Sequence, residues 1–383
     1  MSLKHLSILA LAGLAAAQTP NLADALNSTT ELSRLKDILG LSPALLGSLS
    51  ETSNITILAP SNEAFGKIDN QTLTGLASNP ELISAILQYH VLNGTVPSSA
   101  ITNTSAFVPS LLTNPQFTNV TGGQVVKATR RNGNVTIYSG LLSNSSVSRA
   151  DVNFTGGVIH IIDKLLVLPE NAIDTLSAAN LTSLRGALNA TNLTDTVRNT
   201  PNITIFAPSN EAIRSIGGGL ANLTAQQTTD ILTYHVVASG PIGYSSALSN
   251  GTKLETVNGE SLTITTGAGG VFVNNARVST ADILIANGVL HIIDQVLNPT
   301  NQTIANATSN QGTPVFEGAT PASEVPFTSG QPTPTTTISP DATRAADPTR
   351  PASSTSQAGA AGPMQTGAVG MGALLGAAAV YLM

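Results

Sequence analysis

Three blocks of residues occur twice in the same order, and this duplication limits the fold more than any other feature of the chain. The first block, Asn54-Ile-Thr-Ile-Leu-Ala-Pro-Ser-Asn-Glu-Ala-Phe65, is matched at ten of twelve positions by Asn202-Ile-Thr-Ile-Phe-Ala-Pro-Ser-Asn-Glu-Ala-Ile213. The second, Tyr89-His90-Val91-Leu92, is matched by Tyr234-His235-Val236-Val237. The third, Gly157-Val-Ile-His-Ile-Ile-Asp163, is matched by Gly288-Val-Leu-His-Ile-Ile-Asp294. The chain is therefore two copies of one domain, each of roughly 130–150 residues, an ordinary domain size. Asn62 to His90 is 28 positions against 25 for Asn210 to His235, and His90 to His160 is 70 against 56 for His235 to His291. The larger insertion in the first copy is expected near Gly94 to Gly122, where Pro97, Pro109 and Pro115 punctuate a polar stretch.

Each block has a physical reading. Ile55, Ile57 and Ala59 alternate with Thr56 and Leu58, which predicts a short half-buried strand ended by Pro60. Ser61 and Asn62 suit a helix N-cap, with Glu63 favourably placed in the first turn. Ser209, Asn210 and Glu211 repeat the arrangement. Leu82, Ile83, Ile86 and Leu87 form one apolar helical stripe before the first Tyr-His pair. Asn132-Gly133 between Val125–Ala128 and Val135–Tyr138 predicts a hairpin, as do the glycines between Leu262–Thr266 and Val271–Val273. Each copy closes on a strand apolar on both faces, Val158–Ile162 or Val289–Ile293, which belongs inside the domain. Strands and helices mix without regular β-α-β alternation, which predicts an α+β fold.

The repeated blocks resemble the signature motifs of the fasciclin (FAS1) domain family: the A-P-S-N-E-A-F segment, the central Tyr-His, and the closing G-V-I-H-I-I-D. The resemblance covers about residues 20–168 and 169–298. It implies that each copy is a compact β-sandwich wedge with packed helices, and that Pro60, Asn62, His160, Asp163, Pro208, Asn210, His291 and Asp294 are structural motif positions. It further implies adhesion or matrix roles at a cell surface or wall, through protein or glycan partners. In the family the Tyr-His segment is associated with receptor contact, which carries over to Tyr89, His90, Tyr234 and His235. The second copy departs at Ile213, where the family motif has Phe.

The ends carry sorting signals. Lys4, the apolar run Leu6–Ala17 and the small residues Ala15 to Ala17 read as a signal peptide over residues 1–17. At the other end, small residues, an uncharged spacer and the apolar tail Gly367–Met383 read as a GPI-attachment signal in preference to a single-pass helix. Gly359 is the expected lipid attachment site, with Ala358 and Ser354 as alternatives, so that residues 360–383 would be removed. The expected domains are then 18–168 and 169–298. The Ser/Thr/Pro-rich segment 299–359 is expected to be a disordered, O-glycosylated stalk.

The chain has no cysteine, so nothing but its cores can hold it together. Charged residues make up only 10% and the net charge is −6, which excludes a nucleic-acid partner. Glycan would supply the missing solubility. Seventeen N-x-[ST] sequons occur: Asn27, Asn54, Asn70, Asn93, Asn103, Asn119, Asn134, Asn144, Asn153, Asn180, Asn189, Asn192, Asn202, Asn222, Asn250, Asn301 and Asn306. Some are expected to lie in packed segments.

Little chemistry is legible. Ser61, His90 and Asp163 could be imagined as a hydrolase triad, but no G-x-S-x-G elbow surrounds Ser61. Two histidines per copy are too few for a metal site. A His inside an apolar block is more often a neutral core residue bonded to backbone. No P-loop, dinucleotide fingerprint or H-E-x-x-H occurs. The sequence reads as a non-enzymatic surface or wall glycoprotein with no cofactor. A lipid or small-ligand module of the secretory pathway, even vacuolar, is the alternative.

Overall fold

The computed structural model describes residues 19–333 apart from 41, 70–74, 77 and 221, together with Ile338. The expected signal peptide, Gly359 and the removed tail, most of segment 334–359, and sequon Asn70 lie outside these residues.

The first domain opens with helices α1 (Leu22–Ser28), α2 (Ser33–Gly40) and α3 (Pro43–Glu51). Strand β1 (Ile55–Pro60) leads into α4 (Asn62–Gly66), and α5 (Pro80–Tyr89) into β2 (Val91–Asn93). Strands β3 (Ala106–Pro109), β4 (Val125–Arg131), β5 (Asn134–Tyr138), β6 (Asn144–Phe154) and β7 (Gly157–Ile162) follow. They form one seven-stranded sheet in the order β2-β1-β7-β6-β5-β4-β3. A Leu92–Ser110 bridge brings its two ends together, so the sandwich is a single sheet curled almost shut. Two register shifts in β6, around Arg149, allow the bend.

The second domain repeats this. Helices α6 (Ala172–Ala178), α7 (Thr182–Ala190) and α8 (Thr194–Asn199) precede β8 (Ile203–Pro208). Then come α9 (Asn210–Ser215), α10 (Gly217–Leu220), α11 (Ala225–Tyr234) and β9 (Val236–Val237). Strands β10 (Lys253–Glu255), β11 (Ser261–Gly267), β12 (Gly270–Val273), β13 (Ala276–Ile285) and β14 (Gly288–Ile293) complete the sheet. Its order is β10-β11-β12-β13-β14-β8-β9, closed by a Val237–Thr256 bridge.

β1 is buried along its whole length, not half-buried as its alternation suggested. It is central, paired antiparallel to β2 and parallel to β7. Its two faces serve two cores. Leu58 joins Leu82, Tyr89, Val126, Ile137 and Ile162 inside the curl. Ile55, Ile57 and Ala59 join Leu35, Phe65, Ile159 and Ile161 beneath the helices. The parallel pair also explains the glycine opening the third block. At Gly157 (φ 155°) a Cβ would stand 1.9 Å from the Ile55 carbonyl oxygen, and Gly288 (φ 156°) meets Ile203 in the same way. The Asn132-Gly133 turn has positive φ at both residues, as a type I′ hairpin requires.

Ser61 and Ser209 cap their helices, accepting from the amides of Ala64 and Ala212. Asn62 does something else. Its Nδ2 donates to the Thr30 carbonyl and Ser33 Oγ, and its Oδ1 accepts from the Arg34 amide, strapping α4 to the start of α2. Asn210 straps α9 to α7 through Asn180, Thr182 and Ser183.

The segment expected to leave the second domain at residue 299 runs back along it instead. The Ala305 amide donates to Asn274 O, Thr313 to Asn275 O and Ala322 to Arg214 O, while Ser183 Oγ donates to Pro326 O. Ala305 and Val315 are buried, Phe316 and Ala319 pack on the core to which α7, α9 and α11 contribute, and Ile338 packs beside Ala178 at the end of α6. Isolated apolar residues in a polar stretch suffice for this because the domain already offers an apolar face to cover.

Candidate functional site

The Tyr-His pairs are interior. Tyr89 ends α5 and donates its hydroxyl to Val125 O on β4 at 2.9 Å, tying the helix across the core. His90 caps the same helix. Its Nδ1 donates to Ile86 O at 2.7 Å, which leaves Nε2 to accept from the Leu166 amide at 3.0 Å. Tyr234 donates to Ser261 O, and His235 bonds Ile231 O and the Leu297 amide at 2.7 and 3.0 Å. Burial depresses both imidazoles to about 4 despite the bond each makes to its helix carbonyl. Burial likewise raises Tyr89, and lifts Tyr234 to about 12. All four side chains are 0–4% exposed, so as candidate contact residues they present almost no surface to a partner of the folded domain, His90 only as part of the lining of an apolar cavity.

The other two repeated histidines each hold a loop and a β-bulge. His160 Nε2 donates to Val96 O, and its Nδ1 accepts from the Asp151 amide. His291 does the same with Gly243 O and the Asp282 amide. Asp163 accepts from the Ser146 amide. Asp294 accepts from Arg277 and, with its second oxygen, from the Gly312 amide of the returning segment. Pro60 and Pro208 face Ile162 and Ile293 at the ends of the parallel pairs. The imagined triad does not form, because Ser61 caps a helix, His90 has both ring nitrogens engaged with backbone, and Asp163 braces β6. Among the described residues, no cluster of three His, Asp or Glu could hold a metal.

What the sequence did not reveal is the joint between the domains. Lys127 on β4 and Asp282 on β13 are both buried and meet at 2.8 Å. Asp282 also accepts from the amide and hydroxyl of Ser245. Burial alone would raise its pKa; the Lys127 ammonium, helped by Ser245, holds it below the usual carboxylate range. Around the pair, Phe107 stacks on Tyr244 at 4.2 Å, and Val125 packs with Leu284 and Val289. The extra length of the first copy lies here. The bond from the Tyr-His tyrosine to the facing strand spans 36 positions in the first domain and 27 in the second. The added loop carries Thr118, Asn119 and Thr121, which bond to Ala286 O and Asn202 of the second domain. A second addition, the turn Gly140–Leu142, sends Leu142 into the second domain's core.

The sequons are mostly at the surface. Asn27, Asn54, Asn93, Asn103, Asn119, Asn134, Asn153, Asn180, Asn189, Asn192, Asn222, Asn250 and Asn306 are exposed; Asn144, Asn202 and Asn301 are half-buried. Few therefore lie in packed segments. The surface also carries an apolar cavity of about 230 Å³ in the first domain, lined by Leu35, Ile38, Phe65, Ile83, Leu87 and Leu165 among others.

A duplicated α+β domain with a nearly closed sheet, buried Tyr-His pairs and a fixed joint defines a tandem-domain protein of the fasciclin type. The fasciclin domain model matches residues 26–169 and 179–299, and the chain belongs to that family. It is 37% identical to a fasciclin-like arabinogalactan protein of Arthroderma benhamiae, over 80% of this chain and 74% of that protein. It is 30% identical to the fasciclin-like arabinogalactan protein CTB11 of Cercospora beticola, over 77% of this chain and 81% of that protein. Human periostin matches at 29% over 64% of this chain, which spans 28% of periostin's length. A solved FAS1 domain pair from the insect cell adhesion molecule fasciclin I matches at 23% identity over 70% of this chain and 96% of its own, with a TM-score of 0.34.

Proposed function

We propose that this chain is a non-catalytic adhesion or wall-interaction glycoprotein, displayed outside the cell on a GPI lipid. The observation that carries this reading is the pair of fasciclin domains, in which the repeated His and Asp side chains bond to backbone inside the fold. Side chains engaged in this way position a scaffold, which supports a non-catalytic reading. The exposed sequons support passage through the secretory pathway, and relatives named as arabinogalactan proteins agree with a heavily glycosylated surface. The joint would present both domains as one body, a geometry suited to spanning between a cell and its surroundings. The segment from about residue 332 onward would serve as the stalk, shorter than composition suggested. Treatment of intact cells with phosphatidylinositol-specific phospholipase C should release the protein to the medium. Retention after confirmed enzyme action would exclude the anchor, and a vacuolar location of the tagged chain would exclude display. Cells lacking the chain should attach less well to one another or to matrix; unchanged attachment would exclude the adhesive role.

A further inference from the structure

The two domains treat the same groove differently. In the second domain the helical face built by Leu184, Ile213, Ile216, Leu232 and Val296 is covered by the chain itself, with Phe316 and Ala319 packed on it. The covering segment is irregular, turning at Phe316–Ala319, and is held by backbone bonds: the Ala322 amide to Arg214 O, and the Gly218 amide to Thr320 O. The repeat places Leu35, Phe65, Ile68, Leu87 and Leu165 of the first domain at the corresponding positions, counted from the Asn strap, the Tyr-His pair and the closing Asp. There the groove is open, as the apolar cavity of about 230 Å³. Gly66 stands where Arg214 stands, and a Cβ added to it would meet nothing within 4 Å, whereas Gly217 and Gly218 of the second domain lie under Ala322 and Thr320.

We propose that this groove of the first domain binds a segment of a partner protein that inserts single apolar side chains, in the manner in which the second domain binds residues 313–327 of its own chain. The chemistry of the occupant follows from the lining. No charged side chain is present, and its one titratable group, His90, is neutral with both ring nitrogens engaged by backbone. A segment that inserts aliphatic or aromatic anchors and keeps any charged side chain in water, as the covering segment keeps Glu317 and Glu324 exposed, fits; a charge pushed into the groove would lose hydration without a partner. A polypeptide is favoured over an acyl chain because the filled copy of the groove, in this same molecule, holds polypeptide. The inference deepens the adhesive reading, but its test is made in solution and does not depend on anchorage or cell attachment.

The probe is a fluorescent synthetic peptide of residues 313–329, titrated into the secreted mature protein. The second groove is filled in cis by a tethered copy at high effective concentration, so the free peptide reports on the first. Saturable binding of one peptide per chain is expected. Ile38→Gln and Ile83→Gln alter half-buried lining residues; they should leave the melting temperature close to that of the parent and weaken binding at least about tenfold. Absence of saturable binding, or binding to both variants as tight as to the parent, would overturn the proposal. So would recovery by mass spectrometry of a stoichiometric acyl lipid from the parent protein that is missing from the Ile83→Gln protein.

Discussion

Lys127 of the first domain donates to Asp282 of the second at 2.8 Å, and neither side chain reaches solvent. Such a pair contributes little net stability compared with an apolar substitute, but removing one partner strands the other charge. Lys127→Met should therefore cost the domain pair about 3–5 kcal/mol in urea denaturation. Lys127→Met combined with Asp282→Asn should cost less than the sum of the single changes, since Ser245 can still bond to the amide. Additive costs would show that the two groups do not interact. The first domain has the counterpart, Asp151 with Ser98, but there the carboxylate is exposed and has no lysine upon it. The cation is supplied by one copy and received by the other, so the joint has a direction.

The buried histidines make stability depend on pH. His90 and His235 have folded pKa values of about 4, below the unfolded value near 6.5. Between those values the unfolded chain binds more protons, so stability is complete above about pH 6.5 and is lost as pH falls toward 4. At ~1.4 kcal/mol per pH unit, each histidine accounts for about 3 kcal/mol of that loss. Glu170, raised to about 7 by burial and then by Asp174, acts in the opposite direction, costing stability as pH rises from its unfolded value toward 7. Thermal melts across pH 4–7 should show the histidine slope dominating, and a His90→Gln His235→Gln protein should flatten it. An unchanged slope in that protein would assign the acid sensitivity elsewhere.

Gly157 and Gly288 give a test of the parallel strand pair. A methyl group at either would stand 1.9 Å from a backbone oxygen of the neighbouring strand, with no flexible side chain to yield. Gly157→Ala should exceed the ordinary range of single substitutions, at more than about 3 kcal/mol, and deprive the chain of secretion in folded form. Gly133→Ala is the control: it has positive φ (84°) but open space around it, and should cost only about 1 kcal/mol.

Much of this architecture was legible because repetition and periodicity report on local physics. Ser61 and Ser209 as caps, the Asn132-Gly133 hairpin and the buried closing strands follow from residue chemistry alone. The position of Lys127 was not legible, since a lysine in β4 reads as a solvated residue until a second domain is brought against it. Tyr89 and His90 could be placed in a motif but not in depth. Their burial depends on bonds to Val125 and Leu166, residues 36 and 76 positions away. Low hydrophobicity beyond residue 299 concealed the few apolar contacts that matter, Val315 and Phe316 among them, because composition averages over a window whereas packing needs only single side chains.

That returning segment yields the last prediction. A chain ended after Pro299 would lose Gly312 from Asp294 Oδ2, Thr313 from Asn275 and the apolar cover over the α7, α9 and α11 core. If residues 300–331 were only a tether, the truncated protein would melt as the full one does. If they are part of the domain, calorimetry should show the second domain melting earlier while domain 1 changes only through the shared joint. The exposed face should also bind a hydrophobic dye. Within the full chain, Val315→Ala should cost about 1–2 kcal/mol, the loss expected for two buried methyl groups. Ile304→Ala, at a side chain 50% exposed in the same segment, should cost much less. Equal effects at the two sites would mean that the segment confers stability by some means other than the burial of Val315.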